Sequence, residues 1–368
     1  MQKLKLKTAT HHYPILVGSQ ILQNIGSEMK KLGLKGTIGI VTVKKVHDLY
    51  GDILRDSLQK EGFLTRTIFI PDGEATKTFA TIEQILTAFI QQGLDRSSIL
   101  LGFGGGVVGD MCGFAASILF RGVKFVLAPT TLLSQVDASV GGKTGVNHVA
   151  GKNLIGTFYQ PELVLIDTSM IKSLESRDII AGFAEMIKTG LVKDATYFST
   201  LIAHQSEILA LDEEILSKAI YTSCQLKARV VEEDEREIGL RKILNFGHTF
   251  GHAIESVAGF GTLRHGEAVL LGMLAATLLS HHLGFLESNA YSTIKEALLH
   301  IPLETKIPKM DIDTLIKAML HDKKRVNQET QFVLLDKIGH AFVHSGIDEK
   351  EIKIAFKETL STFTKMGL

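Results

Sequence analysis

Cysteine is scarce in this chain, which has only Cys112 and Cys224. Two cysteines are too few for a disulfide scaffold, and they do not form a zinc-binding motif. We therefore expect two reduced, buried thiols. A net charge is also lacking, because 40 Lys and Arg balance 40 Asp and Glu. This balance argues against a nucleic-acid partner, although it leaves room for a local basic pocket.

Long apolar runs are missing as well. The longest, 268–279, is too short to span a bilayer and predicts a buried helix. The basic segment 1–7 lacks the apolar run of a secretory signal. We therefore expect no membrane partner and a cytoplasmic location. A length of 368 residues with 45% hydrophobic content suggests two domains of an ordinary globular protein.

Strand-like and helix-like segments alternate in the first half of the chain. Strands are predicted at 38–42, 67–70, 99–103, 125–128 and 163–166, with helices at 46–60 and 81–92. Such alternation indicates an α/β, Rossmann-like domain with a parallel sheet covered on both faces. Sites in such sheets lie beyond the carboxyl ends of the strands.

The character of the sequence changes near residue 176, where long apolar or amphipathic segments replace the strands. Helices are predicted at 179–192, 213–232, 249–257, 268–283 and 313–320, and a single strand at 332–335. This predicts a mostly α-helical second domain. The predicted domains are 1–175 and 176–368, and we expect the functional site in the cleft between them.

Histidines cluster in the most informative stretch, 245–255. His248 and His252 are four residues apart and share one face of a helix, and His265 follows shortly after. Such a group suits a divalent metal with nitrogen and carboxylate ligands. Each of these histidines alone is more often structural, but the glycines beside them favour an active site.

Glu185 stands in an otherwise apolar helical segment, three residues before Lys188. A carboxylate on an apolar face needs a partner or a metal. Because residues three apart share a helix face, an ion pair between Glu185 and Lys188 is the alternative to a metal ligand.

A glycine-rich turn follows the strand predicted at 99–103. Gly104, Gly106 and Gly109 have G-x-G-x-x-G spacing, which lets backbone N–H groups approach a pyrophosphate. The acid that binds the ribose about 20 residues later in Rossmann domains is missing, because no Asp or Glu lies between Asp110 and Asp137. A tight turn without a ligand therefore stays an alternative.

Two further segments carry charge suited to a nucleotide or an anion. The segment 72–77 offers Glu74 and Lys77 just after a strand, with a solvated turn as the alternative. A long Gly-rich loop is predicted over 137–156, and its Lys143 and Lys152 suit an anion. A flexible surface loop is the alternative there.

Two known motifs are incomplete. Gly142-Lys143-Thr144 lacks the first glycine of a P-loop, because Asp137 stands at its position. His248 and His252 lack the catalytic Glu of the zinc proteases, because Thr249 follows the first histidine. Nucleotide triphosphate hydrolysis and metalloproteolysis are therefore excluded.

Taken in order, these motifs resemble the 3-dehydroquinate synthase family over nearly the whole chain. The resemblance is carried by 72–77, 104–110, 121–123, 129–144, 151–153, 158–161, 184–188, 245–255 and 265–267. It implies an NAD-binding domain, a helical metal-binding domain and a homodimer. The implied activity converts 3-deoxy-D-arabino-heptulosonate 7-phosphate into 3-dehydroquinate and phosphate, a step of the shikimate pathway.

The resemblance also implies roles for individual residues. The metal ligands, for zinc or cobalt, are Glu185, His248 and His265, whereas His252 becomes a proton-transfer group together with Asp137. Lys143, a catalytic candidate, and Lys152 match lysines near the junction of nicotinamide and substrate. The other NAD contacts are Asp72, Gly73, Glu74, Lys77, Gly106, Val107, Asp110, Thr130 and Thr131. The other substrate contacts are Arg121, Asn153, Lys188, Lys227, Arg241 and Asn245.

Two positions depart from the family pattern. Val43 replaces the usual Asn or Asp that reaches the adenosine ribose, and Gln328 replaces a glycine. The role of Lys324 is left open. Three other functions remain: a metal-dependent NAD alcohol or polyol dehydrogenase, a sugar phosphate cyclase that makes another carbocycle, and a nucleotide-binding interaction protein.

Overall fold

The computed structural model describes residues 1–9, 11–259, 261–321 and 330–367. The chain forms two compact units, Met1–Leu174 with Glu213–Arg236 and Glu175–Asp212 with Glu237–Leu368. Gln328 and Lys324, singled out in the sequence, lie outside the described residues. No helix in the described ranges has the length and apolar character needed to cross a membrane.

The regular elements are numbered in chain order. The strands are β1 (Gln2–Lys7), β2 (His12–Gly18), β3 (Ile38–Thr42), β4 (Thr65–Phe69), β5 (Ile99–Gly104), β6 (Lys124–Pro129), β7 (Lys143–His148), β8 (Gly151–Phe158), β9 (Leu163–Asp167), β10 (Phe332–Lys337) and β11 (His340–His344). The helices are α1 (Ile25–Lys31), α2 (Lys44–Lys60), α3 (Phe79–Gln91), α4 (Gly106–Ile118), α5 (Ser176–Lys193), α6 (Ala195–Ala203), α7 (Gln205–Leu209), α8 (Glu213–Glu233), α9 (His248–Ala258), α10 (His265–His282), α11 (Ser288–Leu299), α12 (Ile312–His321) and α13 (Glu349–Lys365).

The first unit is built on a seven-stranded sheet in the order β1-β2-β9-β6-β5-β3-β4. Every neighbouring pair is parallel except β1 and β2 at one edge. The five strands predicted from apolar runs are confirmed, and β3, β5 and β9 are buried along their whole length. Burial on both faces explains why these strands are continuous apolar runs rather than alternating ones.

The chain reverses its direction of travel across the sheet at β3. It moves from β3 to β4 on one side, and then to β5 on the other side. Ligands of parallel sheets bind beyond the carboxyl ends of the strands at such a reversal. The predicted NAD segments follow the carboxyl ends of β4, β5 and β6, which places all of them on that edge of the sheet.

A single boundary near residue 175 does not describe the two units. The predicted helix at 213–232 forms, as α8, but it packs on β1 and β2 of the first unit. Among its buried residues, Cys224 donates its thiol to the carbonyl oxygen of Gln135 in the same unit at 3.2 Å. The functional division at 175/176 therefore stays a prediction.

The predicted Gly-rich loop over 137–156 is wrong, because most of that range, from residue 143 onward, belongs to the antiparallel hairpin β7–β8. The physical reason lies in two of its glycines. A Cβ on Gly145 would stand 2.4 Å from the carbonyl oxygen of Ile155, and one on Gly156 would stand 2.1 Å from that of Thr144. The glycines allow the two strands to approach each other closely. Their number gives this hairpin the amino-acid composition of a loop, which is why the sequence predicts a loop here.

The second unit is mostly helical, as predicted, with one correction. The strand predicted at 332–335 pairs with a second strand, β11, to form a hairpin. His340 and His344 lie at the ends of β11, and this mixture of polar and apolar residues hides the strand from a search for apolar runs.

Both cysteines are buried and free, as expected from the sequence. Cys112 lies in α4 and Cys224 in α8, each with no exposed surface. Burial raises the pKa of both thiols, that of Cys224 to about 12. Both groups are therefore protonated and shielded at neutral pH.

Candidate active site

Three helices of the second unit bring one carboxylate and two imidazoles together. Glu185 lies in the middle of α5, while His248 and His265 are the first residues of α9 and α10. Oε1 of Glu185 stands 3.9 Å from Nε2 of His248 and 3.7 Å from Nε2 of His265. The sequence separates these residues by up to 80 positions, and the fold gathers them into one cluster.

Glycines allow these helices to approach closely. A Cβ on Gly266 would stand 2.2 Å from the carbonyl oxygen of Ala181, so α10 begins against the backbone of α5. A Cβ on Gly272 would stand 2.1 Å from the carbonyl oxygen of Gly247, directly before α9. Side chains at either position would push the helices apart, and the histidines away from Glu185.

The second ring nitrogen of each histidine is held by a defined partner. Nδ1 of His248 donates to the carbonyl oxygen of Phe246 at 3.2 Å, and Nδ1 of His265 donates to Oε2 of Glu255 at 3.3 Å. Burial, followed by the charge of Lys188, holds the pKa of His248 well below its usual range. A neutral imidazole with Nδ1 protonated leaves the lone pair of Nε2 for a metal.

The buried carboxylate provides a test of whether these residues suit a metal. Glu185 is only 1% exposed, and among the described residues its Oε1 accepts no hydrogen bond. Its Oε2 forms an ion pair with Lys188. A buried carboxylate oxygen is costly without a partner. The free oxygen and the two Nε2 atoms match the nitrogen and carboxylate donors that zinc or cobalt takes.

His252 lies in the same cluster. Its ring centroid is 5.3 Å from that of His248 and 5.7 Å from that of His265. One ligand atom from each of the three histidines falls within 4.8 Å of the others. The geometry is compatible with a ligand, as the helix face suggested, and with a proton-transfer group beside the metal, as the resemblance implies. Both assignments stay predictions.

Two other predicted substrate contacts of the second unit are placed by local structure. Arg241 is 1% exposed and lies in the short helical segment Leu240–Asn245 that precedes α9. The side chain of Asn245 donates to Oε1 of Glu237 at 2.6 Å. Lys188, also predicted to bind substrate, forms an ion pair with Glu185. This is the ion pair that the sequence offered as the alternative to a metal ligand.

In the first unit, the glycine-rich turn ends β5 and begins α4. Gly106 is the first residue of α4, and Val107 and Asp110 follow within its first turns. Thr130, which follows β6, donates its backbone N–H to the carbonyl oxygen of Gly104 at 2.9 Å. Its hydroxyl is buried and finds no hydrogen-bond partner in the described part of the chain. An unsatisfied hydroxyl at this turn fits a missing polar ligand such as a nucleotide. Thr131, beside it, bonds to Ser134.

The predicted nucleotide segment after β4 is held by a polar network. Gly73 has φ of 98° and directly precedes the short helical turn Glu74–Thr76. The side chain of Asp72 accepts a hydrogen bond from the backbone N–H of Gly73. Lys77 is buried and donates to Oδ2 of Asp110 at 2.6 Å. Burial raises the pKa of the Asp110 carboxyl, and the charge of Lys77 opposes that shift.

Several residues predicted to bind the substrate also lie in the first unit. Nζ of Lys227 donates to Oδ1 of Asp137 at 2.7 Å. Arg121 is exposed with φ of 70°, in the left-handed region that non-glycine residues seldom adopt. Lys143 begins β7, and Lys152 lies in β8. Val43, the departure from the family pattern, is buried at the start of α2, where it offers no polar atom from its side chain.

Sequence reasoning missed two polar residues. Glu255 lies seven residues after His248, so helical periodicity could have placed it on the same face. Asn147 gave no signal, because its importance depends on partners 73 positions and six positions away.

Two family models match this chain. The model for the N-terminal part of 3-dehydroquinate synthase matches residues 67–181, and the model for its C-terminal part matches residues 182–325. The 3-dehydroquinate synthase of Thermodesulfovibrio yellowstonii is 43% identical over 97% of this chain and 100% of its own.

Two solved structures are similar to nearly the whole chain. One is a 2-deoxy-scyllo-inosose synthase complexed with carbaglucose-6-phosphate, NAD+ and Co2+, with a TM-score of 0.87, 25% identity, and coverage of 97% of this chain and 100% of that one. The other is the 2-epi-5-epi-valiolone synthase of Streptomyces hygroscopicus subsp. jinggangensis with NAD+ and Zn2+ bound. It has a TM-score of 0.86, 28% identity, and coverage of 98% and 100%.

A glycine-rich turn on a parallel sheet and a buried carboxylate among imidazoles are typical of enzymes that combine a nucleotide with a metal. The near full-length match makes the assignment specific: the chain belongs to the 3-dehydroquinate synthase family, which places it among the lyases.

Proposed function

We propose that this chain converts 3-deoxy-D-arabino-heptulosonate 7-phosphate into 3-dehydroquinate and phosphate. The observation that carries the proposal is the 43% identity to a 3-dehydroquinate synthase over 97% of the chain. The cluster of Glu185, His248 and His265 supports it, because a buried carboxylate beside two oriented imidazoles suits a catalytic divalent metal.

The proposed cofactors are NAD and one divalent metal. NAD would be held in the first unit by the segment 72–77, by the turn around Gly106 and by Thr130 and Thr131. The metal would be held in the second unit by Glu185, His248 and His265. When bound, NAD supplies a hydride acceptor that is regenerated within the reaction, and the metal supplies a Lewis acid for substrate hydroxyls.

The remaining chemistry falls to side chains of the chain itself. His252 and Asp137 are proposed to move protons, His252 at a ring nitrogen and Asp137 at its carboxylate, a contribution of about 10²–10⁴-fold in rate. Lysine and arginine side chains, with Lys152 and Arg241 among them, are proposed to hold the phosphate and carboxylate groups of the substrate. Charge-assisted hydrogen bonds of this kind fix the orientation of an anion as well as its position.

The test incubates the protein with the heptulosonate phosphate, NAD and zinc or cobalt, and follows phosphate and NADH in the same sample. We expect phosphate to accumulate while NADH shows no net change, because the hydride returns to the substrate. Stoichiometric NADH would instead identify a metal-dependent alcohol or polyol dehydrogenase. Absence of both products would reject the proposal.

A sugar phosphate cyclase that makes another carbocycle is the second candidate. The two solved structures described above are named as synthases of other products, and they cover 97% and 98% of this chain. Their 25% and 28% identities are well below the 43% found for a 3-dehydroquinate synthase, which favours the dehydroquinate reaction. Parallel assays with hexose phosphates and the heptulosonate phosphate separate the two candidates.

We also propose a homodimer, whereas the cytoplasmic location stays a prediction. Strand β8 exposes large apolar side chains, with Leu154 49% and Phe158 40% exposed. Such a surface is typical of an interface between subunits. Light scattering during gel filtration tests the proposal: we expect twice the chain mass for the parent, and a lower mass for Leu154→Glu.

A further inference from the structure

Asn147 uses both ends of its side-chain amide. In β7, its Nδ2 donates to Oε1 of Glu74 at 2.7 Å, and its Oδ1 accepts from the backbone N–H of Asn153 at 2.9 Å. Its own backbone N–H donates to the carbonyl oxygen of Lys77 at 2.8 Å. One residue therefore joins the predicted nucleotide segment to the predicted substrate segment within the first unit.

These contacts close into a ring. Oδ1 of Asn153 accepts from Nζ of Lys77 at 2.5 Å, and Lys77 also reaches Asp110 at the start of α4. The side chain of Lys77 is only 5% exposed, so its ammonium depends on these partners. Asn147 is the one residue among these that is not a predicted ligand contact, and it bonds to three that are: Glu74, Lys77 and Asn153.

The backbone of Asn153 shows what Asn147 holds in place. Asn153 has φ of 54°, a left-handed conformation that costs free energy unless the surroundings fix it. Asparagine tolerates this conformation better than most residues, and the bond from its N–H to Asn147 stabilises it. Without that bond, Asn153 keeps the contact of its side chain with Lys77, but its backbone N–H loses the partner that favours the left-handed conformation.

Only an amide suits the position of Asn147. Glu74 needs a donor and the N–H of Asn153 needs an acceptor, and asparagine carries both on one short planar group. Aspartate keeps the acceptor for Asn153, but it loses the donor and sets a second carboxylate against Glu74. Alanine removes both bonds.

We propose that Asn147 is a positioning residue that fixes Glu74 and Asn153 in one arrangement, so that the nucleotide and substrate segments are aligned before either ligand binds. This inference rests on the proposed function, because it takes Glu74 as a contact of NAD and Asn153 as a contact of the sugar phosphate.

The experiment compares Asn147→Asp and Asn147→Ala with the parent protein, and titrates NAD by calorimetry in the absence of substrate. Thr144→Val is the matched control, because Thr144 also bonds across the β7–β8 hairpin, to Thr157, but touches no predicted ligand contact. We expect both Asn147 variants to raise the Kd for NAD about tenfold, as for loss of a hydrogen bond to a charged group. The control should stay within about twofold of the parent.

A rescue separates positioning from loss of structure. Combining Asn147→Asp with Glu74→Gln restores a donor and an acceptor with their roles exchanged. Because Glu74 is itself a proposed NAD contact, Glu74→Gln alone is the reference, and Asn147→Asp should weaken NAD binding less in the Glu74→Gln background than in the parent. Steady-state kinetics give a second split. Asn147→Asp keeps the bond to Asn153, so its KM for the sugar phosphate should rise less than that of Asn147→Ala.

Three results would overturn the inference: Asn147 variants that bind NAD as the parent does, a control that loses NAD affinity equally, or an Asn147→Asp substitution that weakens NAD binding equally in the parent and in the Glu74→Gln background. If the parent itself binds no NAD, the proposed cofactor fails and the inference falls with it. That case is distinguished because the defect is already present before any substitution.

Discussion

At the scale of single residues, the second nitrogen of each histidine matters as much as the first. His248 and His265 can present Nε2 to a metal because the carbonyl oxygen of Phe246 and the carboxylate of Glu255 take up their Nδ1 protons. The orientation of the rings is thus set by residues that are not themselves proposed as ligands.

Removal of a proposed ligand should abolish metal and activity together. We expect His248→Ala and Glu185→Ala to lose bound zinc or cobalt, measured by elemental analysis after dialysis. His252→Ala should keep its metal but turn over about 10²–10⁴-fold more slowly, because it loses a proton-transfer group. Full metal content with full activity in either ligand variant would contradict the proposed metal site, and loss of metal from His252→Ala would make it a ligand.

Glu255 should influence the metal without touching it. We expect Glu255→Gln to weaken Co2+ affinity by about 10–100-fold, because His265 loses a charged acceptor for its Nδ1 proton. The visible absorption of bound Co2+ measures affinity without turnover. Glu287→Gln, an exposed glutamate of the same unit, is the control and should bind Co2+ as the parent does. Equal affinities in all three proteins would remove this role from Glu255.

At the scale of elements, a strand or helix can be predicted from the sequence when its own residues carry the pattern, and not when the pattern depends on distant segments. Strands β3, β5 and β9 were found because burial on both faces makes them uniformly apolar. Strand β8 was missed because its composition of glycine and exposed side chains matches that of a loop. The packing of α8 on the first unit was missed because an amphipathic pattern shows that a helix has a buried face, but not which surface covers it.

The residues of the candidate site also fall into those that the local sequence reveals and those that it does not. The histidine spacing in α9 and the carboxylate of Glu185 within the apolar run of α5 were visible in the sequence, since each departs from its local pattern. The partners of Asn147 and the distance from Glu185 to His265 depend on tertiary contacts between distant segments. Choosing between a ligand role and a proton-transfer role for His252 depends on the resemblance, because helix geometry allows both.

The contact between α9 and α10 should not tolerate a methyl group. We expect Gly272→Ala to lower the free energy of unfolding by about 1–3 kcal/mol, because its Cβ would meet backbone atoms that cannot move aside. Metal affinity should fall with it, since His248 begins α9. Urea unfolding and Co2+ titration measure the two effects.

Gly109→Ala is the matched control for that substitution. It also lies inside a helix, but its Cβ would stand 3.6 Å from a side-chain methyl of Leu127, an ordinary contact. We expect the free energy of unfolding to rise by up to about 1 kcal/mol, because alanine favours the helix. If Gly272→Ala proves as harmless as Gly109→Ala, the close approach of the two helices is not required.

At the scale of the whole molecule, NAD is proposed to bind the first unit and the metal ion the second. Each should stabilise the unit that it binds. Binding to the folded state raises stability in proportion to ligand concentration over Kd. We expect Zn2+ to slow amide hydrogen exchange in α5, α9 and α10, and NAD to slow it in the segment 72–77 and at the start of α4. Peptide-resolved mass spectrometry provides the measurement, and protection of the opposite segments by either ligand would contradict the assignment.

The two buried thiols have a practical consequence for following this enzyme in solution. Because both sulfurs are protonated and inaccessible in the folded protein, maleimide dyes should leave the parent unlabelled. Val149, at the tip of the β7–β8 hairpin, is fully open to solvent, so Val149→Cys would supply a single reactive handle. A fluorophore attached there would report on the segment that carries Asn147 without background from the native cysteines.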